Sequence, residues 1–501
     1  MTRRVDQVVI VGADAPAWIA ACAIQLSLRR TGVRVRLIEL PSLLQSVDVC
    51  PALPTLAGLH HHIGLEEQML FNMCHALPIM GRRFSHWSGN ASSFLHGYDS
   101  PSPSEAGLSF TQLWIKGRQS GLRAGWENFS TGAMMAKVGR VPMGTRGAEP
   151  GASFGYNLDA RAYSALMKQL AIRCGVECKA SDVSNLELEG DRIDAIVLAD
   201  GERVESDLFI DASGPRALLI GPMPGAGWES WREWLPCDRL LVGSAKPLRP
   251  YPGFSDISAF PHGWIGLMPL RDRTAIVAAY DSRDISDRDM LDNLPAHSGL
   301  AIVGDAVVSS LDQGVRSRSW VGNCVAVGES AFALEPLDAA QLHIAHYCIS
   351  QLVTLFPVEA ASFPEADLYN RIIRQSAVNL RDFQLAHYKL NRRFDEPLWD
   401  RCRNSTVPGS FQRKLDVFSA RGRVPLFDDE TFQEEGWESL FLGHGLIPES
   451  YDPRVDALSE QEQIATVHGR LGSINQMVGA MRPVDDFLDT ALSQNPSEVN
   501  S

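Results

Sequence analysis

The pattern of apolar and polar residues at the N-terminus predicts a strand, a helix and a second strand, in that order. A short apolar run from Val8 to Val11 predicts a buried strand. A turn follows, and the mixed spacing from Ala17 to Arg30 predicts an amphipathic helix. The segment from Val33 to Ile38 predicts a second strand, which closes on Glu39. This order is typical of the βαβ unit that opens a dinucleotide-binding fold.

The rest of the chain alternates in a similar way and then becomes helical. The pattern predicts a helix at Ala160 to Cys174, a hairpin at Leu186 to Val197 and a buried strand at Leu208 to Ile210. It then predicts a set of short strands from Leu240 onward and a long helix from about Ala339. Beyond Pro364 the spacing is mostly helical. We predict an α/β fold in which residues 1–360 form a Rossmann-like core, with an overlying β-sheet substrate region at about 220–300 and a helical C-terminal region over 361–501.

Charge and hydropathy narrow the range of partners. The chain has 46 basic and 60 acidic side chains and a formal net charge of −14. Such a surface repels phosphate backbones and anionic lipid, so nucleic acid is disfavoured as a partner. Nowhere do about 18 uncharged apolar residues run together, so we expect no transmembrane helix and no membrane partner.

The cysteines and the N-terminus both favour a cytoplasmic protein. The nine cysteines form no CxxC pair and their number is odd, which suits free thiols in a reducing compartment. The apolar run from Val8 superficially imitates a secretion signal, but it ends at Gly12 and polar residues return at Gln25 and Arg29. We therefore predict a cytoplasmic location.

The turn after the first strand departs from the dinucleotide fingerprint G-x-G-x-x-G. The turn contains Gly12, Ala13, Asp14, Ala15, Pro16 and Ala17. Ala17 still allows close packing of helix on strand, whereas the Asp14 carboxylate adds repulsion where a pyrophosphate should lie. Glu39 stands at the end of the second strand, where an acidic residue holds a ribose hydroxyl. The fingerprint leaves two readings open, a weakened dinucleotide site and a βαβ unit that no longer binds a nucleotide.

Several segments in chain order resemble the flavin-dependent halogenases of the tryptophan type and their monooxygenase relatives. The segments are Asp207 to Gly214, Leu235 to Arg239, Trp320 to Gly328, Leu334 to Leu337, His387-Tyr388, Asp395 to Trp399 and Phe441 to Tyr451. The resemblance covers nearly the whole chain. It implies an FAD cofactor, and the cofactor-contacting positions would be Gly12, Ala13, Ala15, Glu39, Ser213, Gly328 and Glu329.

The same resemblance shows that the position of the halogenase lysine is changed. In the family this lysine meets hypohalous acid within a stretch like Ala-x-x-Lys-x-Gly-x-x-Phe, and the corresponding stretch here is Ala76 to Phe84, with Ile79 in place of lysine. An alkyl side chain neither forms a haloamine nor donates a hydrogen bond to an oxidant. Arg82 and Arg83 supply positive charge nearby, but a guanidinium is a poor nucleophile.

The halide segment is also altered. Where the family has Glu-Pro-Leu-Glu-Ser-Thr-Gly, this chain has Glu335-Pro336-Leu337 followed by Asp338, Ala339, Ala340 and Gln341. Asp338 keeps a shorter carboxylate, which makes it the candidate catalytic base. The other interpretation of Asp338 is a solvated carboxylate at a helix entry. The hydroxyls and the glycine are lost, so we expect weaker halide binding.

Two further family features differ. The motif Trp-x-Trp-x-Ile-Pro is present as Trp264 to Pro269, with Gly266 in place of the second tryptophan. We expect Trp264 to contact substrate and the space opened at Gly266 to admit a different one. The strap Gly-Glu-x-Thr beside the flavin is replaced by residues 49–52, Val-Cys-Pro-Ala.

Histidines raise the possibility of a metal enzyme. His60-His61-His62 are adjacent, and His343 and His346 are spaced for one helix face. Three adjacent histidines do not point to one centre, and a His-x-x-His pair needs further ligands. We predict no metal site.

Two functions therefore remain. The first is a diverged flavin-dependent oxidoreductase that is unable to halogenate by the lysine mechanism and oxidises a small organic or aromatic substrate with FAD. The resemblance implies that this enzyme accepts reduction from a flavin reductase and forms a homodimer, since dimers occur among the relatives. The second is a non-catalytic protein of the halogenase fold that binds a ligand or a partner protein.

Overall fold

The computed structural model describes residues 4–88, 93–98, 108–142 and 152–493. The chain divides into two compact units, each made of three segments. The first unit consists of residues 1–76, 158–233 and 310–378, and the second of residues 77–157, 234–309 and 379–501. The division into a core over 1–360 and a helical region over 361–501 stays a prediction.

Helices and strands occur in both units. Among the described residues the helices are α1 (Asp14–Leu28), α2 (Leu56–His62), α3 (Glu67–Met73), α4 (Phe110–Gln119), α5 (Thr131–Val138), α6 (Ala160–Arg173), α7 (Asp287–Ser298), α8 (Ala340–Thr354), α9 (Glu365–Lys389), α10 (Pro397–Asn404), α11 (Gly409–Arg421), α12 (Glu434–Gly443), α13 (Glu460–Ala480) and α14 (Val484–Ser493). Among the same residues the strands are β1 (Gln7–Gly12), β2 (Arg34–Glu39), β3 (Val49–Ala52), β4 (Leu77–Ile79), β5 (Gly81–Ser85), β6 (Phe94–Gly97), β7 (Arg140–Val141), β8 (Gly155–Asp159), β9 (Glu177–Ala180), β10 (Val183–Glu189), β11 (Arg192–Leu198), β12 (Arg203–Val204), β13 (Leu208–Ala212), β14 (Trp228–Ser230), β15 (Arg239–Ala245), β16 (Phe254–Phe260), β17 (Gly263–Pro269), β18 (Thr274–Tyr280), β19 (Val307–Ser310), β20 (Gly314–Arg316), β21 (Trp320–Val321), β22 (Cys324–Ala326), β23 (Phe332–Ala333) and β24 (Arg482–Pro483).

A six-stranded sheet in the order β21-β22-β13-β1-β2-β9 forms the centre of the first unit. Strand β1 lies between β13 and β2 and is parallel to both. Its apolar side chains from Val8 to Val11 are almost completely buried, as expected of a parallel strand covered on both faces. Helix α1 packs against α6 and α8. The βαβ unit predicted from the sequence is confirmed, although α1 begins at Asp14 rather than Ala17.

The predicted hairpin is also present in the first unit. Strands β10 and β11 are antiparallel and meet at the pair Glu189 and Arg192, with β12 added alongside β11. The polar turn at Gly190 has a φ of 65°, a left-handed conformation that favours glycine.

A seven-stranded sheet in the order β19-β15-β18-β17-β16-β5-β6 organises the second unit. Strands β15 to β18 pair antiparallel, and β5 joins the edge of β16 in parallel. One face of the sheet buries Leu241, Ile265, Ile276 and Tyr280 together with Met290 of α7. The short strands predicted from Leu240 onward are therefore present, while the assignment of residues 220–300 as a substrate region stays a prediction.

The mixed α/β class predicted from the sequence is confirmed. No helix among the described residues combines the length and the apolar character needed to cross a membrane.

Candidate functional site

The turn after β1 in the first unit keeps the close packing of a dinucleotide-binding turn. A Cβ atom added at Gly12 would lie 2.4 Å from the carbonyl oxygen of Ala212, so only glycine fits there. Ala13 is extended and precedes the first residue of α1, while Ala15 and Ala17 are buried. The backbone N–H groups at the start of α1 therefore stand at the end of the central strand, where a helix N-terminus attracts anions.

Asp14 replaces the second glycine of the fingerprint but keeps a glycine-like backbone. Its φ is 60°, a left-handed conformation that aspartate tolerates better than most residues. Its Oδ1 accepts a hydrogen bond of 2.7 Å from the Oγ of Ser42, in the loop after β2. The turn therefore has the backbone path that a pyrophosphate needs, with one carboxylate added to it.

Glu39 lies at the end of β2, as predicted, and is paired with a lysine that the sequence analysis did not identify. The Nζ of Lys168, on α6, donates to both carboxylate oxygens at 2.7 Å. The same ammonium lies 5.2 Å from the centre of the Trp18 ring. A carboxylate has about four acceptor positions, so Glu39 retains capacity for a ribose hydroxyl beside Lys168.

Ser213 takes part in a buried hydrogen-bond network centred on Asp211. The Ser213 hydroxyl donates to Asp211 at 2.6 Å and accepts from the backbone N–H of Leu218 at 2.8 Å. Asp211 is fully buried and also accepts from the backbone N–H groups of Leu219 and Ile220. Asp211 therefore fixes the turn after β13. The sequence signal for Asp211 is its place in the Asp207 to Gly214 segment, in which Ser213 is the predicted cofactor position.

Gly328 and Glu329 follow β22 at the same edge of the sheet. Gly328 has a φ of 67°, and a Cβ added there would lie 3.8 Å from the Cβ of Pro16 at the start of α1. Glu329 is partly exposed, and desolvation raises the pKa of its carboxyl above the usual value. Gly328 is thus one of the predicted cofactor positions that the fold brings close to the turn after β1.

The first unit therefore fits FAD at the level of the backbone. Gly12 lies close against Ala212 of β13, Gly328 lies beside Pro16 at the start of α1, and Glu39 stands at the end of the neighbouring strand. The side chain that disfavours FAD binding is Asp14, because its negative charge repels the pyrophosphate.

Asp338 lies in the first unit, in a 3-10 turn formed by Pro336–Asp338. Its exposed fraction is 2%, so the interpretation of a solvated carboxylate is wrong. Apolar packing of the segment causes this burial, since Leu337, Ala339 and Ala340 are fully buried around it. Gln341 makes a long hydrogen bond of 3.5 Å from its Nε2 to the carbonyl oxygen of Leu334. The segment offers a buried carboxylate and no hydroxyl at 339 or 340.

The replaced strap is a regular strand. Residues Val49–Ala52 form β3, which packs against α8 in the first unit. Burial, followed by the negative charge of Asp48 and then of Asp159, raises the pKa of the Cys50 thiol to about 12. This thiol therefore stays protonated near neutral pH.

Ile79 lies in β4 of the second unit, and its exposed fraction is 2%. Its strand partner is Gly155. Arg82 is buried and donates from its Nε to the Tyr98 hydroxyl at 3.2 Å. Arg83 forms an ion pair with Asp256. Neither guanidinium provides the neutral amine that a haloamine requires.

Six of the seven lysines of the chain are engaged elsewhere. The sequence contains seven, and six of them hold identified partners: Lys116 with Asp456, Lys137 with Glu127, Lys168 with Glu39, Lys179 with Asp200 and Glu202, Lys389 with the carbonyl oxygens of Arg403 and Ser405, and Lys414 with Glu430. Lys246 is exposed. None of the six paired lysines therefore substitutes for the one that Ile79 replaces.

Trp264 and Gly266 lie two residues apart on β17 in the second unit, and side chains crowd the immediate surroundings of Gly266. A Cβ added at Gly266 would lie 3.0 Å from the Cδ1 of Ile257 and from the Cε of Met268, and 3.4 Å from the Trp264 ring. Trp264 itself is fully buried. Side chains from β16 and β17 therefore approach the Cβ position of Gly266 closely, and the admission of a different substrate at this point stays a prediction.

The histidines have other partners. The Nε2 of His60 lies 2.8 Å from the Tyr163 hydroxyl, and the Nδ1 of His343 lies 3.3 Å from the Thr55 hydroxyl. Burial, and secondarily His346, lowers the pKa of His343 to about 3. Over the described ranges, no group of three or more His, Cys, Asp or Glu side chains is arranged to hold a metal ion.

Comparisons with known proteins agree over nearly the full length. A family model described as tryptophan halogenase matches residues 7–460. Tryptophan 7-halogenase KtzQ from Kutzneria sp. (strain 744) is 26% identical and covers 89% of this chain and 90% of its own. Tryptophan 7-halogenase RebH from Lentzea aerocolonigenes is 22% identical, with 96% of each chain covered.

A solved structure gives the same assignment. BrvH, a flavin-dependent halogenase from Brevundimonas sp. BAL3, superposes with a TM-score of 0.91 at 29% identity, over 97% of this chain and 99% of its own. The fold and the resemblance predicted from the sequence are thereby confirmed. The chain belongs to the tryptophan halogenase family.

Proposed function

We propose that this protein is a diverged flavin-dependent oxidoreductase that does not halogenate by the lysine mechanism. The observation that carries the proposal is the buried Ile79 at the lysine position, together with the engagement of six of the chain's seven lysines elsewhere. A halogenase of this type needs an amine that captures hypohalous acid, and an isoleucine has no polar atom for that purpose.

FAD would be held by the turn after β1, by Glu39 and by the segment at Ser213, Gly328 and Glu329. When bound, the cofactor supplies the oxidising chemistry. The protein's own contribution is to position the nucleotide at the start of α1, to hold the turn after β13 through Asp211, and to keep water away from buried groups. The proposed substrate is a small organic or aromatic compound.

Asp338 is the proposed proton acceptor. It takes the place of the second glutamate of the halide segment, and its burial at 2% exposure keeps it away from bulk water. Asp338→Asn removes the charge and keeps the shape, so it should abolish turnover while leaving FAD affinity unchanged. An active Asp338→Asn enzyme would exclude Asp338 as the base.

The same proposal includes a partner flavin reductase, a cytoplasmic location and a homodimer. The domain division into a core over 1–360 and a C-terminal helical region over 361–501 is proposed alongside them. Their support is the family's use of reduced flavin and its soluble members.

The second candidate is a non-catalytic protein that binds a ligand or partner. Two observations favour it: the carboxylate of Asp14 in the nucleotide turn and the pairing of Glu39 with Lys168. Asp14 and the Glu39–Lys168 pair place charged groups in the nucleotide region. A bound dinucleotide would have to displace these interactions or share them.

One titration separates the two functions. The purified protein is titrated with FAD and with reduced FAD while flavin fluorescence is recorded. It is then incubated with FAD, a flavin reductase, NADH, chloride or bromide, and tryptophan or indole, and the products are analysed by mass spectrometry. We expect saturable flavin binding and no halogenated product. Absence of binding at high FAD would leave the non-catalytic function, and clear halogenated product would refute the loss of halogenation.

A further inference from the structure

Two cysteine thiols of the first unit are in direct contact. The Sγ of Cys22, in the middle of α1, lies 3.7 Å from the Sγ of Cys174, the residue that follows α6. The two helices pack against each other along their length. The contact joins positions 152 residues apart in the sequence, so the fold and not the local chain brings the sulfurs together.

We propose that Cys22 and Cys174 are a site of reversible oxidation, at which a peroxide converts the two thiols into a disulfide between α1 and the end of α6. A disulfide needs a sulfur–sulfur distance of about 2.05 Å, so the thiols must approach by less than two ångströms through side-chain rotation. Packed neighbouring helices hold both sulfurs within that range.

The two cysteines differ in a way that assigns their order of reaction. Cys174 is partly exposed at the end of α6, whereas the exposed fraction of Cys22 is 1%. Desolvation, and then the neighbouring Cys174, raises the pKa of the Cys22 thiol to about 12. Peroxides react with exposed thiolates, so Cys174 is the thiol that is oxidised and Cys22 the thiol that resolves it.

The chemistry balances in two steps. The Cys174 thiolate attacks one oxygen of hydrogen peroxide, an S–O bond forms, the O–O bond breaks and hydroxide leaves, which gives a sulfenic acid. The Cys22 sulfur then attacks the sulfenic sulfur, the S–S bond forms and the S–O bond breaks. The departing hydroxide takes the Cys22 proton as water. The two cysteines lose two electrons together, and peroxide is reduced to water.

The location gives the modification a structural consequence. Helix α1 begins at the nucleotide turn, and α6 carries Lys168, which holds Glu39. A covalent bond between residues 22 and 174 would therefore tie together two helices that both contact the proposed cofactor region. A cross-link of this kind also restricts the unfolded chain.

Peptide mapping tests the site directly. Trypsin cuts after Arg4 and Arg29, and after Arg173 and Lys179, so Cys22 and Cys174 fall in separate peptides, 5–29 and 174–179. The full-length protein is treated with a small excess of hydrogen peroxide, free thiols are alkylated, and the digest is analysed without reduction. We expect the two peptides joined, lighter than their sum by two hydrogen atoms, and released by dithiothreitol.

A control is needed because peptide 174–179 also contains Cys178, which is exposed. The joined peptides should persist in Cys178→Ser and disappear in Cys174→Ala and in Cys22→Ala. Joined peptides that disappear in Cys178→Ser would overturn the assignment, as would unmodified, alkylated Cys22 in wild-type protein under conditions that oxidise Cys178.

Thermal unfolding provides a second measurement on the wild-type protein. Because the bond closes a long loop, oxidised protein should unfold at a Tm roughly 5 °C higher than reduced protein, and the Cys178→Ser protein should show the same shift. An oxidised wild-type protein whose Tm does not rise would contradict a disulfide that joins the two helices in the folded state.

Discussion

The nucleotide turn of the first unit and the strand around Ile79 in the second unit both depart from the family pattern, but they do so differently. At the turn, Asp14 keeps the left-handed backbone of the glycine that it replaces and adds a charge. In β4, Ile79 removes the amine and is buried to 2% exposure. Beside Gly266 of the same unit, Ile257 and Met268 occupy the adjoining space.

This difference separates a modified site from a lost one. A change that preserves the backbone path can be reversed by one substitution, because the surroundings still fit the original residue. A change that is followed by repacking cannot, because a core packed at normal density has no room for the earlier side chain. The first unit should therefore regain affinity easily, and the second should resist restoration.

The largest expected effect comes from restoring the lysine. Ile79→Lys places an ammonium in a buried strand without an identified carboxylate beside it, so we expect the free energy of unfolding to fall by about 3–5 kcal/mol. We also expect no halogenated tryptophan or indole, because the hydroxyls at 339 and 340 are still missing. Urea unfolding and mass spectrometry measure the two outcomes.

Ile79→Met is the matched control, since it conserves volume and should cost less than about 1.5 kcal/mol. An Ile79→Lys protein that is as stable as wild type would show that the site is hydrated and has not been repacked. Halogenated product from that single change would show that the halide segment still works.

The next largest effect is expected at Gly266. Gly266→Trp restores the second tryptophan of the family motif, but its side chain would meet Ile257 and Met268 at once. We expect a loss of about 2–3 kcal/mol in the free energy of unfolding. Gly266→Ala requires the same two side chains to move by only a few tenths of an ångström, so the free energy of unfolding should fall by less than about 1 kcal/mol. Equal stabilities for the two variants would reveal an unfilled pocket at this point.

A smaller and favourable effect is expected at the nucleotide turn. Asp14→Gly removes the carboxylate and relieves a φ of 60°, so FAD should bind about tenfold more tightly, which corresponds to about 1.4 kcal/mol. Asp14→Asn removes the charge and keeps the size. If both variants gain equally, charge is the obstacle; if only Asp14→Gly gains, space is. Unchanged affinity in both, by fluorescence titration, would contradict the assignment of this turn as the FAD site.

The sequence predicted the fold well and the site unevenly, for identifiable reasons. The strand from Val8 to Val11 was recognisable because a buried parallel strand is continuously apolar. The Ile79 substitution was visible because it changes the type of residue inside a motif. The pairing of Lys168 with Glu39 was not, since the two residues are 129 positions apart and no local pattern links them.

The packing of side chains around Gly266 was not predictable from the sequence, for a related reason. A glycine in place of tryptophan suggests an opening, but the neighbouring side chains decide whether one exists. Ile257 comes from the adjacent strand β16, and Met268 from the same strand as Gly266. Packing of this kind depends on side-chain positions across a sheet, which apolar and polar alternation does not specify.

The smallest expected effect is the loss of stability of each unit at acid pH. Each unit contains a buried histidine that is neutral in the folded state. In the first unit, burial and His346 lower the pKa of His343 to about 3. In the second unit, burial, His387 and Arg392 lower the pKa of His444 well below its usual value. In both cases the unfolded state binds the proton more readily, so the contribution to stability is complete above about pH 6.5 and is lost as the pH falls below that value.

For His343 the lost stability between pH 7.5 and pH 5.5 should be about 1 kcal/mol. In His343→Gln the pH dependence of stability due to His343 should disappear, while the part due to His444 remains. In His444→Gln the part due to His444 should disappear, while the part due to His343 remains. Urea unfolding at the two pH values measures each contribution. If the pH dependence were unchanged in His343→Gln, the imidazole would have to be hydrated and able to accept a proton within the folded first unit.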